Sequence, residues 1–201
     1  MKRLLVLSII ALSGTLVGCG LSTPVKLPQQ FTYTLNSVKP TRAASAHRSA
    51  NTILVSLPIP DPGYVSNNMI YEPIPFDLRH FSNHQWAAPP AQMLMPLVAQ
   101  ALTNQGYFRG VVTTPFSGNT NYRLDTRLIA LQQNFLRPQS REVLTLQETL
   151  TNNTTNQVMA SRRFNAIVPA PQNNPYSGVV AANQAAHMLT GQIARWVVKT
   201  I

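Results

Sequence analysis

Cys19 is the only cysteine in this 201-residue chain, and it closes the box Leu16-Val17-Gly18-Cys19. A lone thiol cannot form an intramolecular disulfide. Its surroundings point instead to covalent modification. Lys2 and Arg3 form a positive start, and Leu4 to Leu12 form an apolar run broken only by Ser8. Small residues then lead into the cysteine, which is the layout of a secretory signal with a cleavage site. Leu-x-Gly-Cys is the box at which a bacterial lipoprotein signal is cut, so that the cysteine becomes the first mature residue and carries lipid. The apolar run is too short for a transmembrane helix, which needs about 20 residues. A plain signal or an uncleaved anchor is the alternative. The small residue and the cysteine coincide where cleavage is expected, which favours lipid attachment at Cys19. Several acyl chains, each CH₂ contributing about 0.8 kcal/mol when buried, would hold the protein at a membrane. Gly20 replaces the Asp that retains many Gram-negative lipoproteins on the inner membrane, which favours the outer membrane.

The other reactive side chains are sparse. Of six acidic residues, Asp61, Glu72 and Asp77 fall in the proline-rich stretch 58–77. Paired carboxylates could perform acid–base chemistry, as in glycoside hydrolysis, but nothing else marks this stretch as catalytic. His80 and His84 are four residues apart, the spacing of two ligands on one helical face. Pro75 and the 86–90 stretch argue against a helix there, and no cysteine or acidic cluster completes a metal set. The chain has no G-x-S-x-G and no phosphate-binding glycine loop. No catalytic residue, metal ligand or cofactor is assigned. Residues 64–86 instead gather large apolar side chains: Tyr64, Met69, Ile70, Tyr71, Phe76, Phe81 and Trp86. Some must fold under the domain, and those left exposed would form a partner or lipid-contact patch. Tyr64, Tyr71, Trp86 and Met93 are the candidate partner-binding residues.

Three segments follow from this reading: a signal at 1–18, a lipidated cysteine with a flexible tether at 19–30, and one domain at 31–201. The tether is polar and contains Pro24 and Pro28. The domain is long enough for a proper core. The formal net charge is +10, and the signal removes only Lys2 and Arg3 from the basic total. This favours anionic partners such as lipid headgroups or acidic protein surfaces. Nucleic acid is excluded by export and by the scatter of the basic residues.

Within the domain, Phe31, Tyr33 and Leu35 alternate as a first strand, and residues 39–51 form a loop. Ile53 to Leu57 read as a strand buried on both faces. Residues 58–77 read as an extended loop, because Pro58, Pro60 and Pro62 forbid a central strand. Met69 to Tyr71 form a short edge strand within it. Pro89 and Pro90 open a helix that Gly106 ends, with Pro96 kinking or dividing it. Val111-Val112 is a brief strand, and residues 122–131 form a long one. Residues 142–168 read as a β-hairpin around a polar turn, 152–156. Glu148 and Arg162 interrupt its apolar face, either as a cross-strand pair or at a bulge or edge. A second helix spans 176–199, with Val180 on its apolar side. The order predicts a single α/β domain of α+β character: a mixed sheet with two main helices packed mainly on one face.

The order of motifs resembles the ABC-type transport auxiliary lipoprotein family, the PqiC-like components of MCE (mammalian cell entry) lipid transport systems. The matching features are the Leu-Val-Gly-Cys box, Tyr33-Thr34-Leu35, Ile53 to Pro58, Gly63-Tyr64, and Trp86 before the Pro89–Leu102 helix. Tyr122 to Leu131, the hairpin and the terminal helix complete the order. Val65-Ser66 stands where the family has Leu-Asp after the tyrosine. The resemblance implies a fold similar to the amino-terminal domain of TolB and a non-enzymatic role. It further implies an outer-membrane lipoprotein facing the periplasm. Its partners would be an MCE-family protein and an ABC permease and ATPase, and a homo-oligomer is compatible with it. A lipoprotein that assembles or plugs an outer-membrane β-barrel channel is the second reading.

Overall fold

The structure, a computed structural model, describes residues 28–36 and 49–201. The signal at 1–18, Cys19 with most of the tether, and most of the 39–51 loop lie outside the described residues.

Thirteen-residue β7 (Tyr122–Asn134) is the spine of a nine-stranded mixed sheet. One edge of β7 pairs antiparallel with β8 (Arg141–Asn152), which pairs antiparallel with β9 (Gln157–Pro169). The other edge is shared in turn by three short parallel strands. These are β2 (Thr52–Val55), β3 (Ile59–Pro60) and β4 (Asn68–Glu72). Beyond β2 lies parallel β6 (Gly110–Thr113). Beyond β4 lies antiparallel β5 (Arg79–Trp86), and β1 (Phe31–Tyr33) pairs parallel with β5. The sheet therefore forks, and the proline-rich stretch crosses the fork.

Alternation explains the long strands. Leu124, Thr126 and Leu128 of β7 are buried, as are Leu144, Leu146 and Leu150 of β8. A bulge between Leu128 and Ala130 advances the pattern by one residue, which turns Leu131 and Gln133 inward. Two helices cover this inner face. Helix α1 (Pro90–Gln105) has Pro90 in its first turn and ends at Gly106, whose φ of 67° lies in the left-handed region glycine tolerates. Helix α2 (Pro175–Thr200) is capped by Asn174, whose side chain accepts from the Ser177 N–H at 2.8 Å. It packs across β8 and β9 and against α1. Its small residues Gly178, Ala181, Ala182, Ala185 and Ala186 permit close approach to its neighbours.

The expected α/β class and the helices are as observed; six details differ. Strand β5 was not expected, because its alternation is carried by polar and imidazole side chains. Residues 69–71 do not form an edge strand: β4 lies between β5 and β7. The 58–77 stretch is more ordered than a loop, holding β3, a 3₁₀ turn at Pro62–Tyr64 and β4. Pro96 does not divide α1, because it sits on the exposed side, where its missing amide leaves a carbonyl open to solvent. Val180 is exposed rather than part of the core, and Leu54 is half-buried, so β2 is fully buried on one face only.

Asn183 shows why a polar residue lies on the apolar side of α2. Its Oδ1 accepts from the Asn36 N–H at 2.7 Å, and its Nδ2 donates to the Thr34 carbonyl at 3.1 Å. Leu35 is thereby held buried, with its N–H 3.5 Å from Met93 Sδ.

Candidate functional site

Cys19, the expected lipid-attachment residue, lies outside the described residues. Of the four expected partner-binding residues, three are core: Trp86 is 2% exposed, Tyr64 7% and Met93 8%. Trp86 is enclosed where β5 hands the chain to α1, and its N–H donates to the Asn67 carbonyl at 2.8 Å. Tyr64 ends the 3₁₀ turn, and its hydroxyl donates to Gln132 Oε1. Burial, reinforced by the charges of Glu72, Asp61 and Glu142, pushes its phenol up to about 12. These three side chains are thus not open surface. Tyr71 is half-buried, stacked on Phe81 at 4.4 Å between ring centroids and edge-on to Phe135 at 6.0 Å.

The imidazoles are not a metal pair. On a strand, four residues span about 13 Å, too far for His80 and His84 to share an ion. His84 is stacked by Phe31 at 4.9 Å and Tyr33 at 5.8 Å, and its Nδ1 lies 3.0 Å from the Tyr33 hydroxyl. Burial lowers its pKa, favouring the neutral ring. Beside it, an apolar groove of about 440 Å³ runs between Pro171, Pro175, Tyr176 and Val180. Among the described residues no group of three His, Cys, Asp or Glu side chains could hold a metal ion.

The carboxylates of the proline-rich stretch have structural partners. Asp61 accepts from Arg127 Nε at 2.5 Å, and Asp77 from Arg79 Nη2 at 2.6 Å. Glu72 accepts from Gln132 at 2.9 Å and Asn134 at 2.7 Å. Asp61 lies beside Leu128 and Glu72 beside Asn134, six residues along β7. That is about 20 Å, well beyond the separation two carboxyl groups need to act on one glycosidic bond.

Glu148 and Arg162 are register partners across β8 and β9, one of the two alternatives the sequence left open, but no ion pair joins them. Glu148 is fully buried and accepts from Thr126 Oγ1 at 2.8 Å. Burial pushes its carboxyl up to about 8, opposed by the Thr126 hydrogen bond and aided by the charge of Asp125. Arg162 instead lies over the Phe164 ring at 5.0 Å, exposed at the edge of the sheet. The edge position lets its guanidinium remain hydrated, whereas pairing with Glu148 would require burying it. Glu142 is also buried, which raises its pKa well above the ordinary value.

The most exposed apolar group lies elsewhere, at the tip joining β4 to β5. Phe76 is 99% exposed, with Ile74 and Leu78 about half exposed beside it. Phe76 has φ of 69°, a conformation that bulky L-residues avoid. Polar contacts impose it: the Phe76 N–H donates to Glu72 Oε1 at 3.2 Å, and the Asp77 N–H to the Ile74 carbonyl at 3.2 Å. Pro73 and Pro75 further restrict the turn. The sequence signal was the Pro-Ile-Pro-Phe run itself, an apolar loop between two strands. The sequence alone groups Phe76 with a larger aromatic set.

Comparison with known proteins places this geometry among relatives. The family model for the ABC-type transport auxiliary lipoprotein component matches residues 33–194. Protein XCC0632 from Xanthomonas campestris has a similar solved structure, with TM-score 0.77 and 20% identity, over 84% of this chain and 95% of that one. A second solved structure, described only as an uncharacterized protein, gives TM-score 0.67 and 15% identity, over 85% of this chain and 99% of that one. At these identities the likeness shows the fold. The comparison with curated proteins gives no match.

Proposed function

This chain belongs to the ABC-type transport auxiliary lipoprotein component family, and from that premise we propose that it docks a periplasmic MCE-family assembly to the outer membrane. In this reading Cys19 carries the lipid and residues 20–30 set the reach of the domain. An ABC permease and ATPase drive the movement of lipids or other apolar compounds through the assembly. The domain contributes binding rather than catalysis. The observation that carries the proposal is the family match, which runs from β1 into the last turns of α2 and so spans the folded domain.

Burial guides where we place the partner surface. Tyr64, Trp86 and Met93 shape the surface from beneath, while Tyr71 keeps part of its ring accessible. Tyr71 is accordingly the side chain of the four that we assign to direct contact. Affinity purification of the lipidated protein from membranes in mild detergent, with Cys19→Ala as control, tests the proposal. Recovery of an MCE protein with its permease is the expected result, with less recovered by Tyr71→Ala at equal folded protein. Recovery of a β-barrel alone would replace this reading with channel assembly.

A further inference from the structure

Strand directions turn the chain's entry into β1 toward the end of the molecule that carries the β4–β5 tip. β1 runs parallel to β5, with Phe31 opposite His84. The chain therefore enters β1 from the side on which β5 begins, and that side carries the tip at residues 73–78. His84 lies five residues from Arg79, so β1 starts about 17 Å behind the foot of the tip. Twelve residues separate Cys19 from Phe31, and a covalent chain of that length spans at most about 40 Å. A lipid on Cys19 can thus reach as far as the tip, and some way past it.

The same end carries a second apolar loop. The Phe135 N–H donates to the Glu72 carbonyl at 2.9 Å, which sets the β7–β8 loop beside the foot of the tip. Leu136 in that loop is 43% exposed, and Arg137 next to it is exposed with no ion pair among the described residues. Arg79, at the base of the tip, keeps its side chain more than half exposed even while paired with Asp77. The resulting surface has a protruding Phe with Ile and Leu beside it, and arginines set behind. That is the arrangement of an interfacial membrane contact, with apolar groups among the acyl chains and cations at the phosphates.

We infer that the β4–β5 tip, led by Phe76, inserts into the phospholipid surface that holds the Cys19 lipid, as a second membrane contact that fixes the orientation of the domain. The strained backbone at Phe76 is consistent with this role, because the polar framework of Glu72 and Asp77 holds the ring outward instead of letting it fold back. This inference rests on the reading of Cys19 as lipid-modified.

The test uses the full-length protein, matured in cells and reconstituted into vesicles of phosphatidylethanolamine and phosphatidylglycerol. Lipidation blocks the only native thiol, so Phe76→Cys offers a single site for an environment-sensitive fluorophore. Thr154→Cys, in the β8–β9 turn at the opposite end of the sheet, is the control. We expect the probe at 76 to shift to the blue and lose most of its emission to nitroxide-labelled lipid. The probe at 154 should respond only to a quencher in water. A probe at 76 that is quenched from water while the protein floats with vesicles overturns the inference and leaves the anchor standing. Shielding at 76 from both quenchers also overturns it, in favour of a protein contact. Labelling of wild-type protein at Cys19 would show that the anchor reading itself has failed, and the inference with it.

Discussion

The hairpin formed by β8 and β9 and the proline-rich segment 57–86 are of similar length but use apolar residues in opposite ways. Leu144, Leu146 and Leu150 of the hairpin are fully buried, whereas Ile59 is 72% exposed and Phe76 99%. In the hairpin, every second side chain is carried inward by the pleat and covered by α2. In the segment, prolines break the pleat, and the chain reaches β7 only in short contacts. The lesson concerns aromatic residues. Trp86 and Phe76 are ten residues apart and equally apolar, yet one is enclosed at a strand end while the other is held outward by a strained turn.

Four substitutions sharpen or break this contrast. The largest effect is expected at Trp86. Trp86→Ala should cost about 3–5 kcal/mol, as for other buried aromatic truncations, measured by urea unfolding. A change below 1 kcal/mol would mean that the β5–α1 junction is not core.

Glu148 comes next and tests the hairpin side. Its folded pKa of about 8 lies above the ordinary 4.5, so the folded state keeps a proton that the unfolded state releases. Stability from this group is therefore greatest below about pH 4.5 and declines as pH rises toward 8. The slope is about 1.4 kcal/mol per pH unit. Glu148→Gln removes the decline, and its advantage over wild type should be small at pH 5 and on the order of 3 kcal/mol at pH 7. Thermal melts across pH 5–8 measure it. An advantage that stays constant with pH would show that Glu148 titrates normally.

Phe76→Asn should behave unlike either. Asparagine tolerates the left-handed conformation better than phenylalanine, and no buried contact is lost. Stability should stay equal or rise by up to about 1 kcal/mol. A loss comparable to that of Trp86→Ala would place Phe76 in a packed site. The smallest effect is expected for Asp61→Ala, which removes the contact with Arg127. The arginine side chain is 63% exposed, so the cost should be below about 1 kcal/mol and should fade with salt. A salt-independent loss would show that Asp61 holds the crossing through its hydrogen bonds instead.

Legibility in the sequence followed periodicity. The hairpin, β7 and both helices were readable because each repeats an apolar residue at the spacing of its own backbone. Strand β5 was not, because Arg79, His80, Ser82 and Asn83 carry no such signal. It is held by pairing with β4 and β1 on either side. The site was half legible. The concentration of aromatics in 64–86 was visible, but which of them face outward was not, since burial depends on what packs above each ring.

The sequence by itself determined the Leu-Val-Gly-Cys box and the α/β class, and it left the relation of Glu148 to Arg162 open. The box and the class depend on residue type and local spacing alone. Tertiary structure decided the rest. It buried Tyr64, Trp86 and Met93, and it left Glu148 without an arginine because hydration of Arg162 at an open edge outweighs pairing in the core. It also set β1 so that the chain enters it from the side of the sheet that carries the Phe76 tip. That direction of entry comes from a parallel pairing between strands more than forty residues apart, which no local pattern encodes.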